Sequence, residues 1–228
     1  MQGIFQKENT DKALKYGIYR HLPTYEKIIR NLVSFYFKSF CIIRKKGNKF
    51  MNIVCYGDSN TYGFNPLDGG CYETNWVDIV RENYKDDFVV NAGLNGRLVE
   101  PRQFLYDVTL RQYAPIGLLV IMLGTNNVDH LEPVEHITVG LHVMLRRALS
   151  KAEHILLLAP PYLRNDEERY QRSKELNKKL KVLADSFHAD FIDVEEVVSE
   201  LAFDGIHLTK KGHEQLGKTI VDYMKKSL

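Results

Sequence analysis

The sequence predicts a three-layer α/β/α domain built on five parallel strands, and three observations carry that reading. From residue 51 onward, short apolar runs alternate with longer amphipathic stretches, the order expected when each strand returns through a crossover helix. The run Gly117-Leu-Leu-Val-Ile-Met-Leu123 is apolar throughout, as a central strand covered on both faces should be. Pro101, Pro133 and the Pro160-Pro161 pair punctuate two helix starts and a long loop.

Taken in order, strands are expected at 52–56, 87–91, 117–123, 154–159 and 190–193. Each is a short apolar run with turn-forming residues at its end. Helices are expected at 74–84, 101–113, 134–151, 167–188 and 210–226, where apolar residues recur at helical spacing. No internal repeat or low-complexity segment interrupts the series.

Composition agrees with a packed domain. Apolar residues make up 44% of 228 and charged residues 26%, enough to fill a sizeable core and too apolar for a disordered chain. The net charge of +2 hides an asymmetry: residues 1–50 carry 11 Lys/Arg against 3 Asp/Glu, and residues 51–228 carry 20 against 26. Residues 1–50 therefore read as a basic extension before a mildly acidic domain at 51–228. A Lys-Lys-Gly run just upstream of Met51 can be written in purine-rich codons resembling a ribosome-binding site, so the extension is expected to be translated leader ahead of a start at Met51. The competing reading is a basic helix that binds a partner or an anionic surface.

Three cysteines, Cys41, Cys55 and Cys71, are odd in number and follow no metal-ligand spacing. That argues against a disulfide framework or zinc site, and a cytoplasmic location is expected. The stretch from Leu32 to Ile43 is interrupted by Lys38 and is too short to span a bilayer, so no stable membrane insertion is expected. The acidic domain lacks a nucleic-acid recognition motif, so no nucleic-acid partner is expected. Self-association is left open.

The chemistry sits in two distant segments, Gly57-Asp58-Ser59 after the first strand and Asp204-Gly205-Ile206-His207 near the end. A serine hydroxyl is a poor nucleophile at neutral pH and needs an adjacent base, itself oriented by an acid. Ser59, His207 and Asp204 can fill those roles. Ser59 alone reads as a turn or helix-cap residue, and Asp204 with His207 as a loop ion pair or half a metal site; no second His/Asp cluster supports a metal.

Two further segments change the balance: Asn91-Ala92-Gly93-Leu94-Asn95-Gly96 after the second strand, and Gly124-Thr125-Asn126-Asn127 after the third. Together the four blocks, in order over residues 51–228, resemble the SGNH (GDSL-type) hydrolase family, in particular its arylesterase and acyl-transferring branch. The resemblance implies the flavodoxin-like SGNH fold and serine esterase activity on small-molecule esters, with no cofactor. It implies Ser59, Asp204 and His207 as catalytic residues, and an oxyanion hole from the N–H groups of Ser59 and Gly96 and the amide of Asn126.

Three departures stand out. Asn60 replaces the leucine of the eponymous motif, Asn127 stands where many relatives have aspartate, and Gly117 opens the central strand in place of the frequent aspartate. None removes a catalytic group, and Asn127 is the one expected to alter the Asn126 loop. Asp58 is expected to brace the serine loop and Gly93 to serve a backbone turn. His213 is a rival base, ranked behind His207. Tyr62, Trp76 and His130 are candidate substrate-binding residues. An acyltransferase using the same triad is the close alternative, and a non-catalytic flavodoxin-like module binding phosphate at the Gly-Asp-Ser loop the distant one.

Overall fold

The computed structural model describes residues 50–100 and 104–228. The proposed extension therefore lies outside the described residues, apart from Phe50. Five strands form one sheet in the order β2-β1-β3-β4-β5, and every pair is parallel. They are β1 (Asn52–Gly57), β2 (Phe88–Gly93), β3 (Ile116–Met122), β4 (Ala152–Ala159) and β5 (Asp190–Asp193). Each lies within two residues of its expected position.

The helices are α1 (Ser59–Tyr62), α2 (Trp76–Asn83), α3 (Phe104–Tyr113), α4 (Thr125–Asp129), α5 (Val134–Ala148), α6 (Glu167–Phe187) and α7 (Lys210–Ser227). Five of these were expected, although residues 101–103 of the third expected segment lie outside the described residues. The short α1 and α4, and a 3-10 turn at Val194–Glu196, were not.

Alternation along the strands divides the core between two layers. Ile53, Cys55, Leu118, Val120, Met122, Leu156 and Leu158 face α2 and α7. Val54, Tyr56, Leu119, Ile121 and Leu157 face α3, α5 and α6 on the other side. Successive side chains on a strand point to opposite faces, so one apolar run feeds both layers.

The strand order reverses between β1 and β3, since β2 lies on one side of β1 and the later strands on the other. Open α/β sheets bind ligands in the crevice beyond the carboxyl ends of the strands at such a point. The Gly57-Asp58-Ser59 and Gly124-Thr125-Asn126 segments leave the sheet there.

The Gly117 departure has a packing reason. A Cβ at Gly117 would fall 1.8 Å from Met51 Cγ, so the missing side chain makes room for the methionine that precedes β1. Met51 N–H also donates to Asp87 Oδ1 at 2.8 Å, which fixes the entry to the sheet.

Candidate active site

Ser59 opens α1 directly after β1. Asp58 caps that helix by accepting the Asn60 N–H at 3.0 Å, and Gly63 closes it with φ +96°. Ser59 is only 5% exposed.

The acid-histidine segment reaches the serine from the far end of the chain. His207 Nε2 lies 3.0 Å from Ser59 Oγ, and His207 Nδ1 lies 2.6 Å from Asp204 Oδ2. Asp204 Oδ1 accepts the backbone N–H groups of Ile206 and His207, each at 3.0 Å. Partial burial pushes the Asp204 carboxyl up, but the His207 ring and those two N–H groups outweigh it and hold it below the usual carboxylate range. An ionised Asp204 favours the tautomer with the proton on Nδ1 and leaves Nε2 free to accept from serine.

The surroundings fix that imidazole. The Phe64 ring packs against it with centroids 4.7 Å apart. Leu208 is buried, and Thr209 caps α7 by accepting the Gly212 N–H at 3.0 Å, so the segment runs straight into a helix. Asn60 reaches across to both neighbours of His207: its side chain donates to Ile206 O at 3.3 Å and accepts from Leu208 N–H at 2.8 Å. This contact was missed in the sequence, where only the departure from leucine was visible.

The Gly96 and Asn126 segments are tied through Arg97. Arg97 N–H donates to Leu94 O at 3.1 Å, closing a turn in which Gly96 has φ +71°. No heavy atom lies within 4 Å of where its Cβ would be, so the backbone angle, rather than crowding, calls for glycine. Asn126 Nδ2 donates to Arg97 O at 3.0 Å. The Arg97 guanidinium stacks over the Tyr56 ring at 4.0 Å and donates to Gly57 O at 2.6 Å and to Ala92 O. Arg97 thus joins the ends of β1 and β2 to the asparagine loop, a role that no sequence motif marked.

Asn127 holds the same loop from the other side. Its amide accepts Val99 N–H at 2.8 Å and donates to Val99 O at 3.2 Å and Glu132 Oε2 at 3.0 Å. An aspartate here would lose both donated bonds and place its charge against Glu132. Each buried group left unpaired would cost about 1–3 kcal/mol. The departure from aspartate is therefore matched to this chain's own glutamate.

Two expectations are corrected, those for Trp76 and Gly93. Trp76, the first residue of α2, is fully buried in the core layer shared with α7 and donates its indole N–H to Asn60 O at 3.0 Å; it braces the serine helix and lines no substrate surface. Gly93 ends β2 and serves close approach instead of a turn, because a Cβ there would lie 2.2 Å from Tyr62 N. Tyr62, at the end of α1, and His130, just beyond α4, are exposed. His213 is fully buried without a hydrogen-bond partner for either ring nitrogen, and burial pulls it down to about 4. Both its nitrogens are occluded, so it is a neutral packing residue beneath Tyr72.

Asp58 is also fully buried. Burial pushes it up to about 6, against the opposing pull of the Asn60 N–H, the nearby Thr125 hydroxyl and the His207 and Arg97 charges. Thr125 lies close enough to favour the carboxylate without forming a well-made bond to Oδ2. A groove between α5 and α6, lined by Glu135, Glu167, Glu168, Arg172 and Glu175, contains none of these residues.

The model of the GDSL-like lipase/acylhydrolase family matches residues 55–215. The chain belongs to that family, the SGNH-type hydrolases, and is an SGNH/GDSL-type esterase. Comparison with curated proteins finds no match. Among solved structures it is similar to a native aryl esterase of M. smegmatis, at 24% identity over 78% of this chain and 100% of that one, with a TM-score of 0.68. It is also similar to a carbohydrate acetylesterase from Sinorhizobium meliloti, at 23% identity over 78% and 100%, with a TM-score of 0.69. A member of the lipolytic protein G-D-S-L family from Veillonella parvula aligns at 18% identity over 77% and 99%, with a TM-score of 0.68.

Proposed function

We propose that the protein hydrolyses small carboxylic esters through an acyl-enzyme on Ser59. The observation that carries this reading is the line from Ser59 Oγ to His207 Nε2 at 3.0 Å and from His207 Nδ1 to Asp204 Oδ2 at 2.6 Å. Ser59 Oγ attacks the ester carbonyl carbon while its proton passes to His207 Nε2, and Asp204 balances the imidazolium. The oxyanion is met by the N–H groups of Ser59 and Gly96 and by the free N–H of the Asn126 amide, whose other bond to Arg97 O sets its direction. Collapse breaks the bond to the alcohol oxygen, which leaves with the proton from His207. Water then gives its proton to the same nitrogen, attacks the acyl carbon, and releases the acid with Ser59 restored.

The aryl esterase and carbohydrate acetylesterase among the structural neighbours direct the choice of substrates towards aryl and acetyl esters. Purified protein and its Ser59→Ala variant, both checked for folding, are compared on short-chain p-nitrophenyl esters and acetylated sugars. Turnover by the parent and loss in the variant is the expected result; equal turnover by both would reject the nucleophile.

We also propose that the working domain starts at Met51 and resides in the cytoplasm. Cys55 and Cys71 are both free. A chain beginning at Met51 would turn the bond from its N–H to Asp87 into an ion pair with an α-ammonium. Residues 51–228 expressed alone are expected to fold and to match the full chain in kcat; insoluble protein would contradict the boundary. Cell fractionation showing the native protein outside the cytoplasm would contradict the location.

A further inference from the structure

Ser59 and His207 are separated by 148 residues, and no neighbouring covalent linkage sets the gap between them. Asp204 cannot set it, because its bonds to the His207 ring, His207 N–H and Ile206 N–H all lie within its own loop and move with it. From outside the loop, Arg164 N–H holds Gly205 O at 2.8 Å and the Phe64 ring packs on the imidazole, but neither bonds the backbone groups that flank His207.

Asn60 bonds them from the serine side. It follows the nucleophile, is 1% exposed, and its two amide atoms bond the carbonyl before His207 and the N–H after it. The amide pairs with residues 206–208 much as a peptide unit pairs with a strand. Its own backbone is anchored at both ends, through its N–H to Asp58 Oδ1 and through its carbonyl to the Trp76 indole N–H. The leucine of the eponymous motif could make neither side-chain bond.

We infer that Asn60 is the positioning residue that sets the distance between base and nucleophile, while Asp204 sets the orientation and tautomer of the ring. The inference rests on the Ser59 and His207 chemistry proposed above. The division of labour is specific. Loss of the Asn60 clamp lets the histidine loop drift from Ser59 but leaves the Asp204–His207 pair whole, because that pair is local. The titratable groups around His207 are Asp204 on its loop, Asp58 on the serine loop and His213 on α7; Asp58 accepts the Asn60 backbone N–H, and none of the three bonds its side-chain amide.

The test uses the full chain with Asn60→Leu and Asn60→Asp, read by kcat, KM, the pH profile of kcat/KM and the low-field proton signal of the Asp204–His207 pair. A misplacement of about 1 Å costs about 10²-fold in rate. Asn60→Leu is accordingly expected to lose about 10²-fold in kcat with KM little changed, an unshifted acid limb and a retained low-field proton. Asn60→Asp keeps the acceptor for Leu208 N–H and is expected to lose about 10-fold, between parent and leucine variant. It also carries the test if the leucine variant does not fold. Folded variants with kcat within twofold of the parent, or losses that merely follow the unfolded fraction, would overturn the inference. Ser59→Ala is run alongside: if it stays active, the proposed function falls and takes this inference with it. If it is inactive while the folded Asn60 variants are fully active, only the positioning role falls.

Discussion

Each polar atom of His207 has a bonded partner: Asp204 takes its backbone N–H and Nδ1, Ser59 lies on Nε2, and Ala202 N–H donates to its carbonyl, while Asn60 holds the backbone groups on either side. The residues that flank the same loops are different. Tyr62, Leu94, His130 and Phe203 each lie within four residues of Ser59, Gly96, Asn126 or Asp204 in sequence, and all four are exposed. The candidate relay is bonded to backbone and core, whereas these four flanking side chains stand exposed at the ends of α1 and α4 and on the adjoining loops. Preorganisation of charge and proton transfer needs fixed donors, while recognition can be altered by exchanging loop side chains. On the function proposed above, reaction type and substrate choice would lie in different parts of this molecule.

The largest effect that would break this contrast is loss of the relay itself. Ser59→Ala and His207→Ala are each expected to lower kcat on p-nitrophenyl acetate by about 10⁶-fold while leaving the thermal transition intact. A folded variant with a tenth of parent activity would place the chemistry elsewhere.

Asn126→Ala removes one neutral donor and its bond to Arg97 O, so kcat should fall by about 10²–10³-fold with KM little altered. A change confined to KM would make Asn126 a ground-state binding residue and move it to the substrate side of the comparison.

Asp58 offers a stability test of the buried machinery. Its folded value, about 6, lies above its ordinary one, so the folded protein holds the extra proton between the two. Its contribution is fully present below about pH 4 and is lost as pH rises through about 6. Asp58→Asn keeps an acceptor for the Asn60 N–H and removes the titration. Its stability relative to the parent should rise across that window by up to about 3 kcal/mol, measured by urea unfolding at several pH values. A flat or falling difference would show that the carboxylate is better compensated than its burial implies.

His130→Ala belongs to the exposed set and should be the mildest change, with kcat within about twofold and any effect confined to KM for bulkier esters. A loss of kcat comparable to that of Asn126→Ala would draw His130 into the bonded machinery.

The same contrast explains what the sequence disclosed. The five strands and long helices were legible because their apolar periods extend over whole elements, and the candidate site residues because they stand in four short blocks in a fixed order along the chain. The short α1 and α4, which carry Ser59 and Asn126, have four and five residues, too few for a helical period to register. Trp76 was misplaced because its neighbourhood does not reveal which face of α2 turns inward, although Asn75 and Asp78 form the capping box that starts that helix. Asn60, Arg97 and Asn127 act through bonds to segments 28 to 148 residues away or across strand ends, and local patterns carry no signal for such pairings.

The central claim, that Ser59 is the nucleophile driven by His207, is tested most directly by fluorophosphonate labelling followed by peptide mass mapping of the parent and the His207→Ala variant. A single adduct on the peptide containing Ser59, formed rapidly by the parent and far more slowly by the variant, is the expected result. An adduct at another residue, or equal labelling rates in the two folded proteins, would contradict it.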